Sequence, residues 1–103
     1  MNNLNQKEWI ALMKDTEGSV LLDVRTEEEF ESGYIEGAQL MNIKDTHEFM
    51  SSAQALDKSK SYFIYCRSGA RSGQACQLLN QMGVKATYNL DGGILAWEGD
   101  LIT

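Results

Sequence analysis

Ser61-Tyr62-Phe63-Ile64-Tyr65-Cys66-Arg67-Ser68-Gly69-Ala70-Arg71-Ser72 is the stretch that decides how this chain folds. Tyr62 to Tyr65 are all aromatic or β-branched, which predicts a strand over 61–65 ending abruptly at Cys66. Arg67 to Ala70 are small or polar and read as a loop. From about Arg71 to Met82, Ala75, Leu78, Leu79 and Met82 recur on one helical face, and Gly83 supplies the stop. A buried strand feeding a helix through a short loop is the beginning of a βαβ unit.

Working outward, the same alternation continues. Ala86 to Leu90 reads as a strand, and Ile94 to Trp97 as a short helix after Gly92-Gly93. Upstream, Val20-Leu-Leu-Asp-Val24 is a nearly continuous apolar run, as buried parallel strands are. Asn5 and Glu8 form a capping box for a helix of about ten residues carrying Trp9, Leu12 and Met13. Glu27 to Ser32 is a short acidic helix stopped by Gly33, and Gln39 to Ile43 a further strand. Asp45 and Glu48 cap a helix running to about Leu56. These residues give four strands alternating with helices, hence a parallel α/β sheet covered on both faces. Residues 1–103 are expected to form one domain, since no linker, repeat or low-complexity segment interrupts them.

Composition narrows the function. The chain has 103 residues and is 43% hydrophobic, which is globular. A net charge of −6 argues against nucleic acid and anionic membranes as partners. No apolar run approaches the roughly 20 residues of a membrane helix, and MNNLNQKEW has no secretory apolar segment, so a cytoplasmic location is expected. Two cysteines ten apart are neither a disulfide framework nor a zinc site, and no metal or cofactor is expected. The charge is unevenly spread. Residues 1–57 hold 12 acids and 4 bases, whereas residues 58–90 hold Lys58, Lys60, Arg67, Arg71 and Lys85 with no acid. Such a stretch suggests a local site for a small anion.

Cys66 stands where α/β folds bind ligands, beyond the carboxyl end of a strand. The loop after it runs into a helix N-terminus, whose free amides and dipole favour an anion. The same field favours a thiolate, because cysteines at helix N-termini ionise at about 3.5–7.5 rather than near 8.5. Arg67 and Arg71 push the same way, so Cys66 reads as a nucleophile that needs no general base. Cys76, inside the helix beside Ala75 and Leu79, reads as a packed core thiol.

The residues resemble the rhodanese-like sulfurtransferases over nearly the whole chain. Leu-Leu-Asp23-Val24-Arg25, followed by Glu29-Phe30 and Gly33-Tyr34-Ile35-Glu36-Gly37-Ala38, is similar to that family's first motif. Tyr65-Cys66-Arg67-Ser68-Gly69-Ala70-Arg71-Ser72 is similar to its active-site loop, and Leu90-Asp91-Gly92-Gly93-Ile94-Leu95-Ala96-Trp97 to its C-terminal signature. The resemblance implies a five-stranded parallel sheet with helices on both faces. It also implies a double displacement in which Cys66 takes a sulfane sulfur and passes it to a thiophilic acceptor. Arg67, Ser68, Gly69, Ala70, Arg71 and Ser72 would then surround the outer sulfur. Tyr34 and Glu36 depart from the family's His and Pro and read as structural variation in a turn.

Two other readings use the same residues. A partner-binding or persulfide-carrying rhodanese module would keep the fold and, as a carrier, the loop. A cysteine phosphatase or arsenate reductase also holds a thiolate in an anion-cradling loop. The phosphatase pattern, however, places five residues between Cys and Arg, and only Arg67 to Ala70 separate Cys66 from Arg71. The position that would hold its Arg is Ser72. A shorter loop encloses less volume and suits a terminal sulfur better than a phosphoryl group.

The remaining residues read as structural. His47 lies in a capping turn, Trp9 and Trp97 pack the sheet faces, and Arg25 is expected to pair with Glu29 four residues on. Ser68 and Ser72 could donate to a bound anion, or Ser72 could cap the helix. The expected partners are a small anionic sulfur donor such as thiosulfate and a thiol or cyanide acceptor. A protein persulfide fits as donor or acceptor equally well.

Overall fold

The computed structural model describes residues 2–103. Five strands form one parallel sheet: β1 (Asn2–Leu4), β2 (Val20–Asp23), β3 (Gln39–Leu40), β4 (Ser61–Tyr65) and β5 (Ala86–Leu90), in the order β1-β5-β4-β2-β3. Between them run α1 (Gln6–Asp15), α2 (Glu27–Glu31), α3 (Thr46–Gln54) and α4 (Ala70–Gln81), and a 3₁₀ turn covers Ile94–Ala96. The strands β4 and β5 have the bounds expected from the sequence.

Side chains alternate across a strand, so the apolar run of β4 serves both faces at once. Tyr62, Ile64 and Cys66 join Leu22, Val24, Phe49, Ala53, Cys76, Leu79 and Val84 on the α3/α4 side. Phe63 and Tyr65 join Trp9, Leu21, Ile35 and Leu90 on the α1 side. Trp9 is wholly buried there, with edge-to-face contacts to Phe63, Tyr65 and Trp97 at 6.0, 6.3 and 6.2 Å. Its indole N–H donates to the Tyr88 carbonyl at 3.1 Å, so the ring buries its apolar area without orphaning its polar atom. Helix α1 begins with the expected box, Asn5 and Glu8 each capping the other's backbone N–H.

Three expectations need correction. Reading residue by residue gives four strands and omits β1, a three-residue polar edge strand paired with β5. The strand expected over 39–43 ends at Leu40. Met41 and Ile43 still donate to the Asp23 and Val24 carbonyls, but the Asn42 side chain accepts from Lys44 N–H at 3.0 Å and turns the chain away. The Arg25–Glu29 pair does not form. Arg25 instead grips the buried Asp23 carboxylate at 2.7 Å and the Gly33 carbonyl at 2.7 Å, bracing the end of β2 against the turn after α2.

In that turn, Tyr34 stacks on Phe30 with centroids 4.1 Å apart, while its backbone exchanges two hydrogen bonds with Ile102. The side chain at this departure from the family pattern therefore packs, and its backbone tethers the C-terminal segment. No described helix is long and apolar enough to cross a membrane.

Candidate active site

Cys66 follows the last residue of β4, where the sheet hands the chain to a three-residue loop and then to α4. Gly69 is the N-cap of α4 with φ +106°, a left-handed conformation that glycine adopts without strain. That turn brings the Gly69 N–H to 3.1 Å from Cys66 Sγ, and one helical turn on, the Ser72 hydroxyl lies 3.3 Å from it. The thiol is almost wholly buried. Burial by itself pushes its pKa up, but the Ser72 hydroxyl and the backbone N–H groups of Ser72, Gly69 and Ser68 outweigh burial and hold it below its ordinary value. The thiolate is stabilised chiefly by oriented donors, as at other helix N-termini.

The loop is fixed from below by the segment after β5. Ile94 N–H donates to the Cys66 carbonyl at 2.9 Å and Leu95 N–H to the Arg67 carbonyl at 3.0 Å. Gly93 makes that approach possible, since a Cβ there would lie 2.4 Å from the Arg67 carbonyl oxygen. The Gly92-Gly93 pair thus seats the loop around the sulfur.

The expected site residues separate into distinct positions. Arg67 and Ser68 are exposed on the loop, Gly69 is partly buried, and Ala70 is exposed as the first residue of α4. Arg67 has no ion-pair partner among the described residues. Arg71, expected as a second free cation, is instead bound at both ends of its fork by Glu29 of α2, at 2.7 and 2.9 Å. The pair neutralises Arg71 and, together with two hydrogen bonds from Thr26, holds the Glu29 carboxyl at about 2, against an ordinary 4.5. Ser72 is fully buried and caps nothing, and α4 has no side-chain cap. Its hydroxyl turns inward to Cys66 and to the Asn89 side-chain oxygen.

Cys76 packs in the core, where burial pushes its thiol up to about 11, and His47 is exposed on α3. Among the described residues, no group of three or more His, Cys, Asp or Glu side chains is placed to hold a metal. A groove of about 200 Å³ between α2 and α3 is lined by Glu27, Asp45 and Glu48, the wrong sign for an anionic donor.

Two contributors escaped the sequence reading. Glu29 was expected on Arg25, and its place on Arg71 was not foreseen. Asn89 carried one signal, a polar amide between Tyr88 and Leu90 inside a strand, where Asn is depleted.

A buried cysteine beyond a parallel strand, ringed by amides at a helix N-terminus, defines an α/β domain with an anion-stabilising thiol loop. The profile of the Rhodanese-like domain family matches residues 6–100, and the chain belongs to that family. It is 44% identical over 80 residues to YtwF of Bacillus subtilis, a protein named as a sulfurtransferase, covering 78% of this chain and 74% of that one. A sulfurtransferase of Allochromatium vinosum is 37% identical over 97 residues, with 94% and 88% covered. A tRNA uridine(34) hydroxylase of Chlamydia caviae is 33% identical, but the match spans 30% of that longer protein. Among solved structures, a rhodanese-like domain protein of Staphylococcus aureus superposes with a TM-score of 0.79 at 30% identity, covering 97% and 93% of the two chains.

Proposed function

We propose that this protein transfers sulfane sulfur through a persulfide on Cys66, taking it from a small anionic donor such as thiosulfate. The observation that carries the reading is the donor set on one sulfur: the Gly69 N–H, the Ser72 O–H and the loop amides that keep the thiol pKa low. A thiolate attacks without a general base. In the first half-reaction, Cys66 Sγ forms a bond to the outer sulfur of thiosulfate. The thiosulfate S–S bond breaks, and its electron pair leaves on sulfite. The persulfide keeps one negative charge on its outer sulfur, which the loop amides and Arg67 would meet. In the second, cyanide or a thiolate attacks that outer sulfur and the electron pair returns to Cys66 Sγ.

The experiment is mass spectrometry of the protein after incubation with thiosulfate, with aryl phosphate hydrolysis measured in the same buffer. One added sulfur atom, removed by thiol and absent in Cys66→Ser, is the expected result. Cys66-dependent phosphate-ester turnover with no sulfur loading would overturn the reading.

A further inference from the structure

Ser72 has one hydroxyl hydrogen and two buried acceptors within reach, Cys66 Sγ at 3.3 Å and the Asn89 side-chain oxygen, closer still. The orientation of the Asn89 amide is fixed by its other end. Its Nδ2 donates to the Gly69 carbonyl at 3.1 Å and to the Asn3 side-chain oxygen at 2.8 Å. A backbone carbonyl can only accept, so the Asn89 NH₂ faces the loop and its oxygen faces Ser72. Both Ser72 and Asn89 are buried, so water does not replace a lost partner cheaply.

We propose that Asn89 is a positioning residue that competes with Cys66 for the single hydroxyl hydrogen of Ser72, so that this hydrogen changes partner as the charge on the sulfur changes. When Cys66 is a thiol, its S–H donates to Ser72 Oγ and the Ser72 O–H donates to Asn89. When Cys66 is a thiolate, the Ser72 O–H turns to Sγ and Asn89 loses its donor. When Sγ is the inner, uncharged atom of a persulfide, the O–H returns to Asn89 and the charge rests on the loop amides. Asn89 thereby disfavours the free thiolate relative to the loaded enzyme, which biases the site toward taking up sulfur. The last step rests on the sulfurtransferase reading; the competition for the hydrogen does not.

Other groups near the sulfur do not offer the same exchange. Arg71 on α4 is paired with Glu29 of α2, Asp23 and Arg25 at the end of β2 are paired with each other, and the Cys76 thiol on α4 is held neutral by burial.

The test is the pH dependence of Cys66 alkylation by iodoacetamide in the full chain, read by peptide mass spectrometry so that Cys76 does not interfere. Ser72→Ala should raise the midpoint by about one pH unit, a tenfold change in ionisation constant. Asn89→Leu should lower it by a comparable amount, because the Ser72 hydroxyl is then free for the sulfur. In Ser72→Ala/Asn89→Leu the midpoint should equal that of Ser72→Ala alone. A merely structural role, acting through the Asn89–Gly69 bond, would shift the midpoint equally with and without the Ser72 hydroxyl and would overturn the proposal, as would an upward shift in Asn89→Leu. Asn89→Ala gives the same comparison if the leucine does not fold. Alkylation needs no sulfur donor, so failure here leaves the transferase reading standing, and failed sulfur loading leaves the competition standing.

Discussion

Replacing Glu29 by Gln separates the charge of the Arg71–Glu29 pair from the rest of its bonding. Glu29 Oε1 also accepts from the backbone N–H and hydroxyl of Thr26, at 3.1 and 3.0 Å, and a glutamine oxygen can keep those capping bonds. What it loses is the anion facing the guanidinium. The Arg71 bond, with smaller contributions from the two Thr26 bonds, holds the carboxyl at about 2 instead of 4.5. At about 1.36 kcal/mol per pH unit, that displacement sets a ceiling of about 3.4 kcal/mol. The two side chains are 22% and 27% exposed, so solvent screening brings the expected loss down to about 1–2 kcal/mol at pH 7. For a chain of this length that is a fall of roughly 5–10 °C in Tm. The folded-state pKa lies below the unfolded one, so the contribution is complete above about 4.5 and is lost as pH falls toward 2. Urea unfolding of wild type and Glu29→Gln at several pH values between 7 and 3 measures it. The difference should be full at pH 7 and shrink below pH 5 as the carboxyl of the unfolded wild-type chain takes up its proton while the folded one stays ionised. A difference that stays constant to pH 3, or none at pH 7, refutes the reasoning.

Three further outcomes follow from the geometry. Cys66→Ser should lose sulfur loading completely with Tm nearly unchanged, whereas Cys76→Ser should load normally and lose about 1 kcal/mol, since its hydroxyl can bond Thr87 inside the core; loss of loading in both well-folded variants would refute the division of roles. Gly93→Ala should displace the loop, because its Cβ would sit 2.4 Å from the Arg67 carbonyl oxygen at a φ of +59°, costing about 2 kcal/mol or more in urea unfolding and slowing loading. Arg67→Ala should raise the KM for thiosulfate up to about fivefold, the value of one exposed charge contact, while urea stability stays within about 0.5 kcal/mol of wild type.

The strand leading to Cys66 was legible because its burial on both faces writes a continuous apolar run, Tyr62 to Tyr65, into the sequence. The capping box of α1 was legible because it is local, closing within four residues, whereas the equally local Thr26–Glu29 box of α2 was not read. Strand β1 was not. Asn2, Asn3 and Leu4 have neither the alternation nor the composition of a strand, and they pair because β5 offers an open edge 86 residues away. β3 was over-extended for the opposite reason: Met41 and Ile43 look like strand and do hydrogen-bond to the sheet, while one Asn side chain between them redirects the backbone.

The site shows the same divide between local and distant causes. A cysteine at a strand end, a Ser-Gly loop and a helix start can be read within seven residues, and each stands where that reading puts it. The electrostatics could not be read that way. Counting charges along the chain gives an acid-free segment holding both Arg67 and Arg71, as though the two formed one cationic site. Folding brings Glu29, 42 residues upstream, onto Arg71 in a two-bonded pair. The carboxylate that the sequence offered to Arg25 is therefore spent on the first turn of α4, and Arg25 takes Asp23 instead. The acidic half of the chain thus enters the basic half at the one point where a free guanidinium would have sat beside the thiolate. Arg67 is left as the loop's exposed cation, able to meet an incoming anion, while Arg71 fastens α2 to the start of α4. Arginine, with its fixed fork, suits that second task, because two parallel bonds to one carboxylate set an orientation that a single point charge does not.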